Sequence, residues 1–264
     1  MQMDNWLTPL IILIVLLLLG AWSTWLERRV LSLWQDRLGP NRVGPFGLFQ
    51  VIADMIKIFT KEDWVPPFAD KVLFIISPMI VMIMTLLGFA IIPFAPDIQI
   101  AQFDHALLFL LAISSLSVYS IMLAGFSSNS KYALLGAMRT AAQMLSYEVF
   151  MGLALMGVVI LSDDFSLSAI VAAQADVWFI CYQPLGFLLF LIAGIAEIHR
   201  APFDLPEAET EIVAGFHTEY SGMRWSFFFL SEYANMLVVS AVASAGFLGG
   251  WHSPIPGYFD SNGW

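Results

Sequence analysis

The run V-L-F-I-I-S-P-M-I-V-M-I-M-T-L-L-G-F-A-I-I-P-F, Val72–Phe94, carries no charged side chain. It is about as long as a helix must be to cross the hydrocarbon of a bilayer, roughly 20 residues. On either side the chain repeats the pattern, in Trp6–Leu26, Ala106–Phe126, Ala133–Leu161, Val177–Ala196 and Trp225–Gly250. With 59% hydrophobic and only 12% charged residues among 264, the composition is that of an integral membrane protein. Apolar and polar positions do not alternate strictly, which argues against a membrane barrel. The expectation is an all-α integral membrane protein, one polytopic domain over residues 1–264, with six transmembrane helices.

Lys and Arg set the orientation, because basic residues stay on the cytoplasmic or matrix-equivalent side. Arg28, Arg29, Arg37, Arg42, Lys57, Lys61 and Lys71 follow the first span, Lys131 lies between the third and fourth, and Arg200 and Arg224 bracket the connection between the fifth and sixth. The opposite loops carry only Asp4, Asp97, Asp104, Asp163, Asp164, Asp176 and Asp260. Both termini are therefore expected outside. Met1–Asn5 lacks a basic region, so the first span reads as an uncleaved helix, not a signal peptide. The net charge of −10 argues against a nucleic-acid partner. One cysteine, Cys181, and four histidines are too few for an iron–sulfur cluster or a spaced zinc site, so the chain is expected to hold no metal or redox centre of its own.

The inner loop 27–71 has two parts. Arg37–Pro45, R-L-G-P-N-R-V-G-P, is a tight Gly/Pro loop. Gly47–Lys61 places Gln50, Asp54, Lys57 and Lys61 on one helical stripe and apolar side chains elsewhere, the pattern of an amphipathic surface helix. Asp54 either pairs with Lys57 at the surface or points inward under a helix that roofs a cavity; both readings stay open.

Charge concentrates in the acidic inner loop 197–224, with Glu197, Asp204, Glu207, Glu209, Glu211 and Glu219, and with Glu232 just beyond. Asp204 and Glu207 resemble a helix cap and its partner, and Gly215 a stop, so a short helix is expected over 206–214. Capping explains one or two of these acids, not all of them. Glu148 lies midway along the fourth span, opposite Arg139 around the axis, where an ionised carboxylate costs several kcal/mol. Groups kept at that expense are what proton relays are built from.

Together, E-R-R at Glu27–Arg29, the R-L-G-P-N-R-V-G-P loop, Q-V-I-A-D-M-I-K-I-F-T-K-E-D, Y-A-L-L-G-A-M-R-T-A-A-Q-M-L-S-Y-E-V, R-A-P-F-D-L-P-E-A-E-T-E-I-V-A-G-F-H-T-E-Y and F-F-F-L-S-E-Y resemble the H-type membrane-subunit family of respiratory complex I, the NADH:quinone oxidoreductase. The resemblance runs over essentially the whole chain. It implies a subunit that joins the hydrophilic and proton-pumping arms, takes quinone as substrate, and leaves iron–sulfur clusters and flavin to partner subunits. Those implied partners are the peripheral subunits of the quinone site, the terminal iron–sulfur subunit, and the small and antiporter-like membrane subunits. It implies a quinone tunnel at Arg28, Arg37, Asp54, Phe228 and Phe229. It further implies a proton-coupling path through Glu148, Glu197, Asp204, Glu207, Glu209, Glu211, Glu219 and Glu232, with Arg139 as a buried cation among them. The family normally has eight spans, and the sequence supplies six. The Trp-rich inner loops favour the bacterial plasma membrane over the mitochondrial inner membrane. Competing readings are the related membrane subunit of energy-converting hydrogenases, a stand-alone secondary transporter, for which no internal repeat is found, and a passive scaffold, which leaves Glu148 unexplained.

Overall fold

The computed structural model describes residues 7–96, 98–205 and 213–253. Their regular elements are all helical: α1 Leu7–Trp34, α2 Gln50–Thr60, α3 Lys71–Ala90, α4 Ala106–Ser127, α5 Lys131–Ser162, α6 Leu167–Ala172, α7 Phe179–Tyr182, α8 Pro184–Glu197 and α9 Gly222–Phe247, with 3-10 turns at Pro45–Gly47 and Gly215–His217. Five of the helices, Pro9–Trp34, Lys71–Ala90, Ala106–Ser127, Lys131–Ser162 and Gly222–Phe247, are long and apolar enough to cross a membrane. The expected fifth span is divided. Pro184 cannot donate a backbone hydrogen bond and starts α8 at its first turn, while Gln183 before it turns its side-chain amide to Gly157 O at 2.7 Å. The shorter apolar helix Pro184–Glu197 holds most of that run.

Packing follows from small residues and paired hydroxyls on facing helices. Ser77 and Ser120 each donate to the other's backbone carbonyl at 2.7 Å, locking α3 to α4 without leaving a buried hydroxyl unpaired. Gly125 lies against Ala133 and Ala137, where a Cβ would come within 2.3 Å of the Ala137 methyl. Gly136 on α5 touches Gly215, since a Cβ there would fall 2.6 Å from the Gly215 Cα. Close approach of this kind maximises dispersion where water supplies no driving force.

One core cluster gathers Leu107, Leu155, Phe190, Val238 and Phe247, and a second gathers Phe74, Ala137, Phe216, Tyr220 and Phe228. In the second, Phe74 and Tyr220 stack with ring centroids 4.0 Å apart. Large apolar side chains such as Leu153 and Ile160 on α5 stay exposed, as a lipid-facing flank requires.

The amphipathic helix appears at α2, led by a 3-10 turn, close to the bounds expected from its polar stripe. It is tied to α1 through the preceding loop, where Trp22 Nε1 donates to Leu48 O at 3.3 Å and Trp25 Nε1 to Phe46 O at 3.2 Å. The expected short helix over 206–214 falls mostly on residues outside the described set; Gly215, its expected stop, has φ 60 and begins the second 3-10 turn.

Candidate functional site

Between α1, α3, α4, α5, α8 and α9 lies a cavity of about 850 Å³. Much of its wall is apolar, with Leu26, Val30, Met84, Ile113, Met144, Phe190 and Val238. One part is charged, with Glu27, Glu197, Arg200, Asp204 and Glu232 beside His199, His217 and Tyr233. Four carboxyl groups therefore stand around one guanidinium.

Arg200 is the centre of that part. Its Nη1 donates to Glu27 Oε1 at 2.9 Å, and its Nε stands 2.7 Å from Glu232 Oε1, off the line of a hydrogen bond. The guanidinium lies over the Tyr233 ring at 4.5 Å, and the Tyr233 hydroxyl donates to Glu27 Oε2 at 2.7 Å. Burial works to lower the Arg200 pKa, but Glu232, Tyr233 and Glu27 more than reverse it, so the cation persists. Three elements meet here: the C-terminal part of α1, the turn after α8 and the first half of α9. The turn is held by Gln143 on α5, whose Nε2 donates to Ala196 O at 2.8 Å and Phe203 O at 2.9 Å.

Glu197, buried at the end of α8, lines the cavity, and its Oε2 has no hydrogen-bond partner among the described residues. His199 is also buried with an unpartnered Nε2, and burial lowers its pKa to about 4. Burial pulls His217 down to about 4 as well, in a cage formed with Phe216 and Trp225. Both imidazoles are neutral near pH 7. Glu148 stands behind the wall: Ser114, which lines the cavity, donates to Glu148 Oε1 at 3.0 Å, and Ser115 donates to the same oxygen.

The expected tunnel residues separate into two groups. Phe228 and Phe229 line the cavity, Phe228 packed edge-on against Phe216 and Tyr220 and Phe229 stacked on Trp225. Arg28 and Arg37 line a second, smaller hollow instead. Asp54 joins them through its ion pair with Arg28 at 2.6 Å and accepts from Gln50 Nε2 at 3.0 Å, which is neither of the two readings of this carboxylate: its partner is Arg28 on α1, not Lys57, and it does not line the large cavity. Of the acidic set, Glu197, Asp204 and Glu232 meet at the cavity and Glu148 adjoins it. Glu219 is half-buried in the turn before α9, away from the cavity wall, and Glu207, Glu209 and Glu211 lie outside the described residues. Arg139, expected to be buried, is exposed on the flank of α5, because its side of the helix points away from the cavity that Met144 and Met151 face.

Glu27, Arg200 and Tyr233 are site residues that the sequence pattern does not single out. The available signal is E-R-R at the end of an apolar span, a charge pattern that stop-transfer anchoring also explains. Among the described residues no three His, Cys, Asp or Glu side chains are placed to share a metal ion.

A helical bundle with spans of membrane length around a chamber charged on one part and apolar elsewhere defines a polytopic membrane protein with an internal cavity rich in carboxyl groups. Residues 7–263 match the NADH dehydrogenase family, and the chain belongs to it. Over 243 residues it is 58% identical to the H-type subunit of the NADH-quinone oxidoreductase of Methylococcus capsulatus, an alignment covering 92% of this chain and 77% of that relative.

Proposed function

We propose that the chain is the subunit of a proton-translocating NADH:quinone oxidoreductase, in a bacterial plasma membrane, that admits quinone from the bilayer and begins the coupling of its reduction to proton movement. The cavity of about 850 Å³, apolar over most of its wall and carboxyl-rich in one part, carries this reading. A quinone has the same division, an isoprenoid tail that gains from apolar walls and a head whose two carbonyls accept hydrogen bonds. Phe228 and Phe229 form apolar wall for the tail, and Arg28 on α1, Arg37 in the loop after it and Asp54 on α2 stand toward the membrane surface, where the head group would first be met.

Electrons come and go through iron–sulfur and flavin groups of partner subunits, since the chain has a single cysteine. Its own contribution is electrostatic. Charge arriving near Glu197, Asp204, Glu232 and Glu27 changes the proton occupancy of all of them, because closely spaced carboxyls titrate as a set. Arg200 is the counter-charge against which that occupancy is balanced. From there the disturbance passes through Ser114 to Glu148, and along Glu207, Glu209, Glu211 and Glu219, toward antiporter-like partners.

The test is Glu148→Gln in the assembled complex. Gln keeps the size of the side chain and an acceptor for Ser114 and Ser115 but cannot carry a proton. Quinone reductase and proton-pumping rates should fall several-fold with assembly intact, and unchanged turnover in the assembled variant would overturn the reading.

A further inference from the structure

The loop between α1 and α2 holds a second hollow, of about 520 Å³, walled by Arg28, Arg37 and Arg42 with Gly39, Pro40 and Asn41. Among the described residues no carboxylate lines it. Asp54 lies behind Arg28 and takes that guanidinium at 2.6 Å, and Arg37 gives its Nε to Gln35 at 2.7 Å, leaving its terminal nitrogens uncommitted among the described residues. Arg42 has neither an ion pair nor a side-chain hydrogen bond among the described residues.

Three arginines at a helix end and along the loop after it would ordinarily repel one another and splay into water. Here the backbone brings them around one space. Gly39 lies flat on α1, where a Cβ would sit 2.7 Å from Ser32 Oγ and 3.3 Å from the Arg28 carbonyl. Gly47, at φ 73, lies under Pro40, whose carbonyl oxygen would be 2.3 Å from a Cβ. Arg29 Nη1 closes the fold by donating to that same Pro40 oxygen at 3.3 Å. A concave wall of guanidinium groups without a matching acid is built for an anion, and the planar fork of Arg suits phosphate oxygens.

The surroundings identify the kind of anion. Leu38 lines the hollow at 82% exposure and Trp34, a turn earlier at the end of α1, is 85% exposed, while Phe49 just before α2 and Ile52, Ile56 and Phe59 on it are also exposed. A charged recess next to uncovered apolar side chains matches an amphiphile with one anionic end.

We infer that the hollow binds the phosphate of an anionic phospholipid, with Arg28, Arg37 and Arg42 around the phosphate oxygens and its acyl chains along the apolar surface beside it. The hollow lies outside the large cavity but shares Arg28 and Arg37 with the quinone entrance proposed above, so Arg42, which that entrance does not use, carries the test. Free phosphate would satisfy the same arginines but leaves the apolar rim uncovered.

Hydrogen–deuterium exchange of the loop peptide 35–46, followed in the assembled complex in lipid nanodiscs, tests this. Phosphatidylglycerol added to a phosphatidylcholine background should slow exchange in the loop. Arg42→Gln should weaken that dependence about tenfold, the loss of one charge-assisted contact, while Arg42→Lys keeps part of it. Inorganic phosphate added to phosphatidylcholine nanodiscs should not reproduce the protection; if it does so fully, the arginines bind phosphate but the lipid assignment is overturned. Equal exchange in the two lipid backgrounds, or an Arg42→Gln variant that behaves as the parent, overturns the site altogether.

Discussion

Two polar clusters lie along α9, about 20 Å apart by helix rise, and they are built on opposite rules. Near the end of α9, Gln174 is fully buried and uses every hydrogen-bonding group it has: Nε2 donates to Ala245 O at 2.7 Å and Ile170 O at 3.2 Å, and Oε1 accepts from Phe179 N at 3.2 Å and Gly249 N at 3.1 Å. It carries no charge and clamps α6, α7 and α9 together. In the first half of α9, Glu232 joins a cluster that is charged and incompletely paired, with Arg200 Nη2, Glu197 Oε2 and His199 Nε2 all buried without partners among the described residues. An unsatisfied buried polar group costs about 1–3 kcal/mol. A chain able to saturate one buried polar site has left the other open where a cavity adjoins it, and open valences there are places for water, protons and a substrate's oxygens.

Replacing Arg200 by Gln should sharpen that contrast most. It leaves Glu27 and Glu232 facing each other without a cation, and should destabilise the chain by about 3 kcal/mol and sharply reduce quinone reductase activity. Arg200→Lys, which restores charge but not the two-sided reach, should recover stability more than activity; thermal unfolding and turnover of the same preparations read the two separately. Gln174→Leu is the converse change. It strands two backbone donors and two carbonyls, costs about 2–3 kcal/mol in thermal unfolding, and should leave turnover of the assembled complex near that of the parent. Equal activity losses in both variants would erase the distinction between the clusters.

Acid provides a finer test. His199 and His217 have pKa values lowered to about 4, against 6.5 in the unfolded chain. Between those values the unfolded chain binds the extra protons, so stability is fully present above pH 6.5, falls as pH drops, and levels off below pH 4. Each imidazole should contribute a loss of about 2 kcal/mol by pH 5, and His199→Gln should remove its share of that slope while leaving neutral-pH stability little changed. The smallest effect belongs to a saturated pair outside the cavity wall: Ser77→Ala should cost about 1 kcal/mol with no change in turnover, measured by the same unfolding assay.

Local pattern made much of this legible. The apolar runs mark the long helices because a bilayer admits few alternatives to a helix, and the polar stripe of Gln50, Asp54 and Lys57 locates α2 closely. The acidic loop and Glu148 are conspicuous because charge is rare elsewhere. Contacts across the fold left no such trace. Arg200 meets Glu27 at a separation of 173 residues and Tyr233 meets Glu27 at 206, and no periodicity records either. The break before α8 did have a signal in Pro184, but an uninterrupted apolar composition hid it. Arg139 was misplaced because spacing along a helix gives relative angles around its axis, not which side faces the interior.

The contact of Gly136 with Gly215 ties these parts mechanically. With no side chain between them to compress or rotate, α5 and the turn carrying His217 have no slack, so a slide or roll of the helix that bears Glu148 must carry the rim of the chamber with it. The same join works in reverse: a displacement of that rim bears directly on α5.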